Sequence, residues 1–447
     1  MLINTSSYNE SDTISAEITP PGQGGVSVVR ISGKHAFRIV KLLIDKKLPD
    51  HGTARLCRIR GTSEGFIDEA IVTAFKAPHS YTGEDVIEVA LHGNMLIVSE
   101  VLKLIYKAGA RPASAGEFTF RAFLNGRIDL TQAEAVEDII SANSQQAIES
   151  AFSGLAGGIR ENATKLTKTL SGLLIGFELE LDFVEESVEI LDAESRIKII
   201  NELLSDTEDM IEGYDQARKV KSGVKVAIIG APNVGKSSLF NMLTNSDKAI
   251  TNIEAGTTRD VLEASTIING VRFVFSDTAG MRQTLNEVEA EGVKRAIDAG
   301  ESADIILNLE AVGIDTCREF EVNDQNRVIN VLNKIDLGIV KEDNSKQNIS
   351  VKENIGIDRL KKMLYNVCMG KENLVGKSTI TRERHYRCLL GLIDNLKEAK
   401  KLISEEYPQE IVAEELREGL HYLDELTGKS WTKDILETIF SKFCIGK

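Results

Sequence analysis

Cysteine is scarce in this 447-residue chain: Cys57, Cys317, Cys368, Cys388 and Cys444 are odd in number and widely scattered. No CxxC pair occurs, so the spacing predicts neither a zinc site nor a disulfide framework, and a reducing cytoplasmic setting fits best. No run approaches 18 consecutive apolar residues, which argues against a transmembrane helix and a membrane role. The opening "MLINTSSYNESDTISAE" lacks the basic region and apolar core of a secretory signal. Positive charge is in short supply too. Lys and Arg number 53 against 68 Asp and Glu, for a net charge of −15. Indiscriminate nucleic-acid binding needs clustered cations and is disfavoured; binding through a local patch or a second protein remains open. Internal repeats and low-complexity segments are missing as well.

What is present is ordinary globular composition, 42% hydrophobic and 27% charged, at a length that accommodates two to four domains. Residues 14–125, within a first domain set at 1–125, alternate short Val/Ile-rich runs ("GGVSVVRI", "EAIVTAF", "DVIEVAL") with turn signals. One helical run, "MLIVSEVLKLIYKAG", follows Gly93 and stops at Gly109. This predicts a compact α+β domain. From Asp129 apolar residues recur at helical spacing, from Leu130, Ala133 and Val136 on to Phe177 and Leu181, giving the first part of a helical domain, 126–222. Helical character resumes over 373–447. Between them, 223–372 mixes strand and helix signals. The fold class expected is α/β and α multi-domain, with a nucleotide-binding domain inserted into a helical one.

"VKVAIIGAPNVGKSSLF" carries the strongest chemistry. Val224 to Ile229 suit a buried parallel strand, and Gly230 to Ser237 match GxxxxGK[ST]. In such a loop the backbone N–H groups of Asn233, Val234, Gly235, Lys236, Ser237 and Ser238 turn toward phosphates at a helix N-terminus. Lys236 would reach the β and γ phosphates, and Ser237 would take a place on Mg²⁺. After the strand "VRFVFS" comes Asp277-Thr278-Ala279-Gly280, whose Asp277 would hold Mg²⁺ through water. "EASTIINGVRFVF" reads as a hairpin with an Asn-Gly turn. "AGTTRD" offers Thr258 as a second Mg²⁺ hydroxyl, ordered by the γ-phosphate. Asn333-Lys334-Ile335-Asp336 ends a strand, and the Asp336 carboxylate can accept from guanine N1 and N2. Ser350-Val351-Lys352 falls where a second base-contacting loop is expected. Four motifs in order at compatible spacing define a GTPase domain.

The residue after Gly280 is Met281, a poor partner for the attacking water. "MRQTLNEVEAEG" supplies Gln283, Glu287, Glu289 and Glu291 as alternatives, whose bland reading is an acidic helix start. Charge in the transition state would be met by Arg282 or by a monovalent cation on the Asn233 amide.

The whole chain resembles the bacterial tRNA-modification GTPase family called MnmE or TrmE. The segments that carry this are "DTISAEITPPGQGGVSVVRISG", "SYTGEDVIEVALHG", "AGEFTFRAFLNGRIDLTQAEAVEDII", "GAPNVGKSSLFN", "AGTTRDV", "DTAGMR", "NKID" and "FCIGK". The resemblance implies a homodimer formed through the N-terminal domain, which binds 5,10-methylene- or 5-formyl-tetrahydrofolate. It also implies joint action with an FAD-bearing MnmG-type flavoprotein at C5 of the wobble uridine of certain tRNAs, with K⁺ in the arginine-finger role. Asn233 and the loop Asn252, Ile253, Glu254, Ala255, Gly256 and Thr257 would hold that K⁺, and Glu289 would orient the water. Arg30, Glu88, Arg127 and Lys447 fall at folate positions, Glu88 as an acceptor for pterin amines and the cations for the glutamate tail. Departures are Gln23 where Arg is usual, Arg127 where some relatives have Lys, and "TNIEAGTT" for a "TDIPGTT"-like loop.

The tail "FCIGK" is a poor prenylation box, because Gly446 and Lys447 occupy its last positions. The resemblance places Cys444 beside the one-carbon chemistry; a packed cysteine closing "WTKDILETIFSKFC" is the competing reading. The rival for the whole chain is a regulatory GTPase of another class, such as ribosome assembly, with non-catalytic flanking domains.

Overall fold

The computed structural model describes residues 12–61, 65–182, 191–244, 263–277, 303–314, 327–338, 345–369, 380–430 and 433–447. It divides into two compact units, Met1–Glu137 with Leu155–Ile175 and Ala413–Lys447, and Asp138–Gly154 with Gly176–Val412.

The first unit is built on a six-stranded sheet. Its strands are β1 (Ile14–Glu17), β2 (Gly24–Ser32), β3 (Ala54–Arg60), β4 (Phe66–Phe75), β5 (Val86–Gly93) and β6 (Arg111–Pro112), in the order β3-β4-β5-β2-β1-β6. Alternation places Ala70, Val72 and Ala74 of β4 inward beside Val29, Ile31, Ile87 and Val89. Helices α1 (Ala36–Leu43) and α2 (Met95–Lys107) cover that face with Ile39, Val40, Val98, Val101 and Ile105. The α2 boundaries follow from local chemistry. The Asn94 side chain accepts from Leu96 N at 2.9 Å, and Gly109 with φ 113° ends the run.

Helix α3 (Glu117–Leu124) is buried on nearly all sides. Sequence periodicity from Leu130 to Leu181 reads as one continuous stripe, but the chain breaks it into α4 (Leu130–Ser141), α5 (Gln145–Leu155) and α6 (Gly158–Asp182). Caps explain the breaks: Asp129 accepts from Gln132 N at 2.8 Å, Ser144 accepts from Ala147 N at 3.2 Å, and Gly157 has φ 92°.

The second unit holds another six-stranded sheet. Helices α7 (Ala193–Ile211) and α8 (Tyr214–Ser222) lead into β7 (Val224–Gly230), α9 (Lys236–Thr244), β8 (Glu263–Ile268), β9 (Val271–Asp277), β10 (Ile305–Ala311), β11 (Val328–Asn333), β12 (Gln347–Asn348) and α10 (Ile357–Met369). Strand order is β12-β11-β10-β7-β9-β8, parallel except for β8 against β9. The β8–β9 turn is the expected Asn-Gly, with Asn269 at φ 49° and Gly270 at φ 83°. Val226, Ile228, Phe273, Phe275, Leu307 and Val331 fill the core with Leu239, Leu360 and Leu364 from the helices. After this domain α11 (Glu383–Ser404) buries Leu389, Leu392, Ile393, Leu396 and Ala399, a three-four spacing that packs it along α7.

In the first unit again, α12 (Gln409–Thr427) precedes α13 (Lys433–Phe440). Phe440 of α13 meets Phe120 of α3 edge-on, ring centroids 5.2 Å apart. A fully buried Phe contributes about 1.5–3 kcal/mol, and this anchor delivers the last seven residues to β1 and α3.

Candidate nucleotide and N-terminal sites

The phosphate loop leaves β7 where its neighbours β10 and β9 diverge, the position at which α/β sheets open a crevice. Gly235 is obligatory there. Its φ is 104°, and a Cβ would stand 2.4 Å from Asn333 Nδ2. Ser237 and Ser238 are exposed on the first turn of α9, where a hydroxyl can face a metal ion and phosphate. Lys236 folds back over the loop and donates to the carbonyls of Gly230 at 2.9 Å and Ala231 at 2.8 Å.

The guanine motif is tied directly to this loop. Buried Asn333 donates to Val234 O at 2.9 Å and accepts from Val351 N at 3.2 Å. Lys334, at φ 62°, donates to Asn233 O at 2.8 Å. One residue thus joins the phosphate loop to both base loops. Asp336 is exposed and accepts from Ser350 Oγ at 2.6 Å. That bond, with the charges of Lys352 and Lys334, holds its carboxyl below the ordinary range and so ionised. Ser350 and Asp336 therefore stand together, and Ile335 N donates to Ile349 O at 3.4 Å between them. Asn252, Ile253, Glu254, Ala255, Gly256, Thr257, Thr258, Thr278, Ala279, Gly280 and Glu289, and the Asp277 side chain, lie outside the described residues.

A second constellation forms on the N-terminal sheet. Arg30 and Glu88 are direct cross-strand partners on β2 and β5. The Glu88 carboxylate accepts from Arg30 Nε at 2.9 Å and from a terminal nitrogen at 2.8 Å. Glu88 thus carries a guanidinium. The Arg30 carbon lies 4.7 Å from the Tyr81 ring centre and 5.4 Å from that of Phe118. Arg30 is 8% exposed, and its Nη1 is buried without a hydrogen-bond partner among the described residues. A buried cationic donor left open costs free energy unless an acceptor reaches it.

The chain's tail closes on the same place. Gly116 N donates to Cys444 O at 3.3 Å, Phe118 N donates to Lys447 O at 3.2 Å, and Ala115 bridges Ile445. Only glycine fits at 446, where φ is 99° and a Cβ would meet Glu17 O at 2.4 Å. Burial, then the neighbouring Arg30 charge, pulls the Lys447 ammonium below its usual value, while Glu88 and Cys444 act the other way. Cys444 itself is exposed; Phe443 is the residue that packs. Arg127 stands apart on the surface, its stem beside Gly83, two residues from Tyr81.

Beneath this site lies a network that sequence reasoning missed. Arg121 is fully buried and donates to Asp12 at 2.5 Å, Glu84 at 3.0 Å and Glu117 at 3.0 Å. Arg111 donates to the same Asp12 at 2.6 Å and Glu117 at 2.6 Å. Burial works to raise the Glu117 carboxyl, but bonds from Arg111 and the Ser114 amide and the charge of Arg121 outweigh it and leave it lowered. The network joins the segment before β1, the Tyr81–Glu84 loop and α3, so it fixes the two rings that hold Arg30.

Similarity runs across the whole chain. Residues 130–444 match the family described as MnmE helical domain, and residues 13–127 match GTP-binding protein TrmE N-terminus. The tRNA modification GTPase MnmE of Cytophaga hutchinsonii is 38% identical, covering all of both chains. Those of Moorella thermoacetica and Pseudothermotoga lettingae are 37% and 36% identical, each covering 98% of this chain and 99% and 100% of theirs. On matches that span both flanking regions as well as the nucleotide motifs, the chain belongs to the MnmE (TrmE) family of tRNA-modification GTPases.

Proposed function

We propose that this GTPase couples GTP hydrolysis to modification of C5 of the wobble uridine in certain tRNAs, adding a carboxymethylaminomethyl or aminomethyl group. It would do so as a homodimer with an FAD-bearing MnmG-type partner and a one-carbon unit from 5,10-methylene- or 5-formyl-tetrahydrofolate. The observation that carries the folate reading is the open Arg30 donor between Tyr81 and Phe118, with Lys447 beside it. Two cations suit the glutamate carboxylates, and the rings offer faces to a flat heterocycle. Glu88 keeps a second acceptor oxygen for an amine. Arg127 would extend the cationic rim, and exposed Cys444 would meet the one-carbon group. A rival regulatory role leaves this pocket and the full-length family match without a purpose.

In the GTPase domain (223–372) the chain's own groups divide the work. Amides of the 233–238 turn hold phosphates, Asp336 and Ser350 read guanine, and Lys236 neutralises charge. Bound Mg²⁺ would supply Lewis acidity to the γ-phosphate, with Ser237, Thr258 and Asp277 to hold it. Asn233 would hold K⁺ together with the 252–257 loop, and Glu289 would orient water.

Two expected outcomes test these assignments. 5-Formyl-tetrahydrofolate binding, followed by titration calorimetry, is expected to weaken by about 10- to 100-fold in Arg30→Ala, the worth of one charged hydrogen bond. Affinity within threefold of wild type would remove Arg30 from the site. GTP turnover at equal ionic strength is expected to be at least about tenfold faster in K⁺ than in Na⁺. That gain should vanish in Glu289→Ala without loss of GTP binding; equal rates in both salts for the native chain would shift the role to Arg282 or a partner.

A further inference from the structure

The GTPase domain is an insertion, so two stretches of chain connect it to the helices: α8 on entry, and the start of α11 on return. Both converge on one carboxylate. Asp138, at the end of α4, accepts from Lys221 Nζ at 2.7 Å through Oδ1. The same oxygen accepts from an Arg382 terminal nitrogen, and Oδ2 accepts from Arg382 Nε at 3.3 Å. Lys221 is the penultimate residue of α8, and Arg382 is the cap of α11. All three side chains are largely screened from solvent, at 10%, 26% and 16% exposure. A second tie joins the same stretches. The rings of Tyr214, opening α8, and Tyr386, in the first turn of α11, stack 4.2 Å apart with 7° between planes.

The helix after Asp138 touches the sheet itself. Ala147 of α5 is buried in the GTPase core with Val220, Phe273 and Phe275. Gln146 Nε2 donates to Asn269 O at 3.4 Å, at the turn of the β8–β9 hairpin. From that turn β9 runs straight to Asp277, in register with Ile228 of the strand that feeds the phosphate loop. Seven extended residues span about 20 Å. A displacement at the phosphate end of β9 thus reaches Gln146 through a rigid strand, provided that the corner does not yield.

We propose that Asp138 is the positioning residue that makes this corner unyielding. It clamps both connections of the GTPase domain to the α4–α5 corner, so that the nucleotide-dependent position of β9 is delivered to α5 through Gln146. Removal of its charge takes away the one carboxylate that Lys221 and Arg382 share, and with it the tie between the two connections. Among the described residues the charged partners of Asp138 are Lys221 and Arg382, both on the connections, so it acts through these.

Hydrogen exchange of the full-length chain, saturated with GDP or with a non-hydrolysable GTP analogue, tests this. In the native chain the amides of α5 (Gln145–Leu155) are expected to differ in exchange between the two nucleotides by about fivefold or more, the low end of measured coupling between sites. In Asp138→Asn, an isostere without the charge, and in Gln146→Ala, a truncation of a half-buried side chain, the ratio is expected to collapse toward one. Asp138→Glu should restore part of it. Nucleotide affinity, measured in parallel, should stay within twofold throughout. A purely structural Asp138 would raise exchange equally with both nucleotides and preserve the ratio; that result overturns the proposal. So does a native chain whose α5 exchanges alike in both states, or a ratio that survives in Gln146→Ala.

Discussion

Lys236→Ala is expected to lower single-turnover GTP hydrolysis by at least about a thousandfold, the largest effect of any single side chain in the GTPase domain. The Lys236 ammonium is held by the Gly230 and Ala231 carbonyls, inside the loop proposed to hold the phosphates. A phosphate oxygen arriving there is a stronger acceptor than either carbonyl, and the ammonium transfers to it with little movement. A charge-assisted bond of this type is worth about 1.5–3 kcal/mol in the bound state. More is gained as charge builds toward the leaving oxygen, because the cradle is already formed and needs no rearrangement.

Two effects should therefore separate in the measurement. Fluorescent GDP affinity should fall by about 10- to 100-fold from the lost charged bond, with the remainder of the loss appearing in the hydrolysis rate at saturation. Turnover within tenfold of the native chain would show that Lys236 stays on its carbonyls during the reaction. The phosphate cradle would then rest on amides and bound cations alone.

Much of this site is legible in sequence because its chemistry is local. The apolar run 224–229, the glycines after it and the Asn269-Gly270 turn each dictate their own geometry within a few residues. The Asn333 bridge from the NKxD strand to Val234 is not visible this way, because it spans 99 residues and depends on the β7-β10-β11 order. Arg30 and Glu88 enter by family resemblance; that they face each other follows only from the β2–β5 register. The unbroken stripe from Leu130 to Leu181 misled for a related reason. Periodicity reports which faces are apolar, whereas Ser144 and Gly157 decide where helices stop. Arg121 was hidden by a sound default, since arginines are rarely buried. One signal was available. In "EFTFRAF" the arginine lies among apolar residues on every side of a short helix, and a charge so placed needs acids from elsewhere in the chain.

Those acids give Arg121→Met the largest expected effect on stability. The substitution keeps an unbranched side chain of similar length but leaves Asp12, Glu84 and Glu117 gathered around an apolar group. Removing one partner from a buried charge network costs about 3–5 kcal/mol, against a total of about 5–15 kcal/mol for a typical domain. Hydrogen exchange of β2 and β5 amides at pH 7 should rise by about 100- to 1000-fold or more, as their opening free energy falls by that amount. The pH dependence follows from Glu117. Its carboxyl is lowered from the ordinary 4.5 in the folded protein. The native chain therefore holds this stabilisation fully above about 4.5 and loses it as pH falls through the depressed folded value. In Arg121→Met the Glu117 carboxyl loses the Arg121 charge and keeps only Arg111, so it is expected to take up a proton more readily than in the native chain, and protonation relieves repulsion among the three acids. The gap in stability between the two chains should consequently be widest near neutrality and narrow below pH 4.5. A gap that is small at pH 7, or constant down to low pH, would mean that Arg121 holds α3 by packing rather than by charge. The rings of Tyr81 and Phe118, and with them the setting of Arg30, would then owe their position to the apolar neighbours Ile14, Ala16 and Ala113.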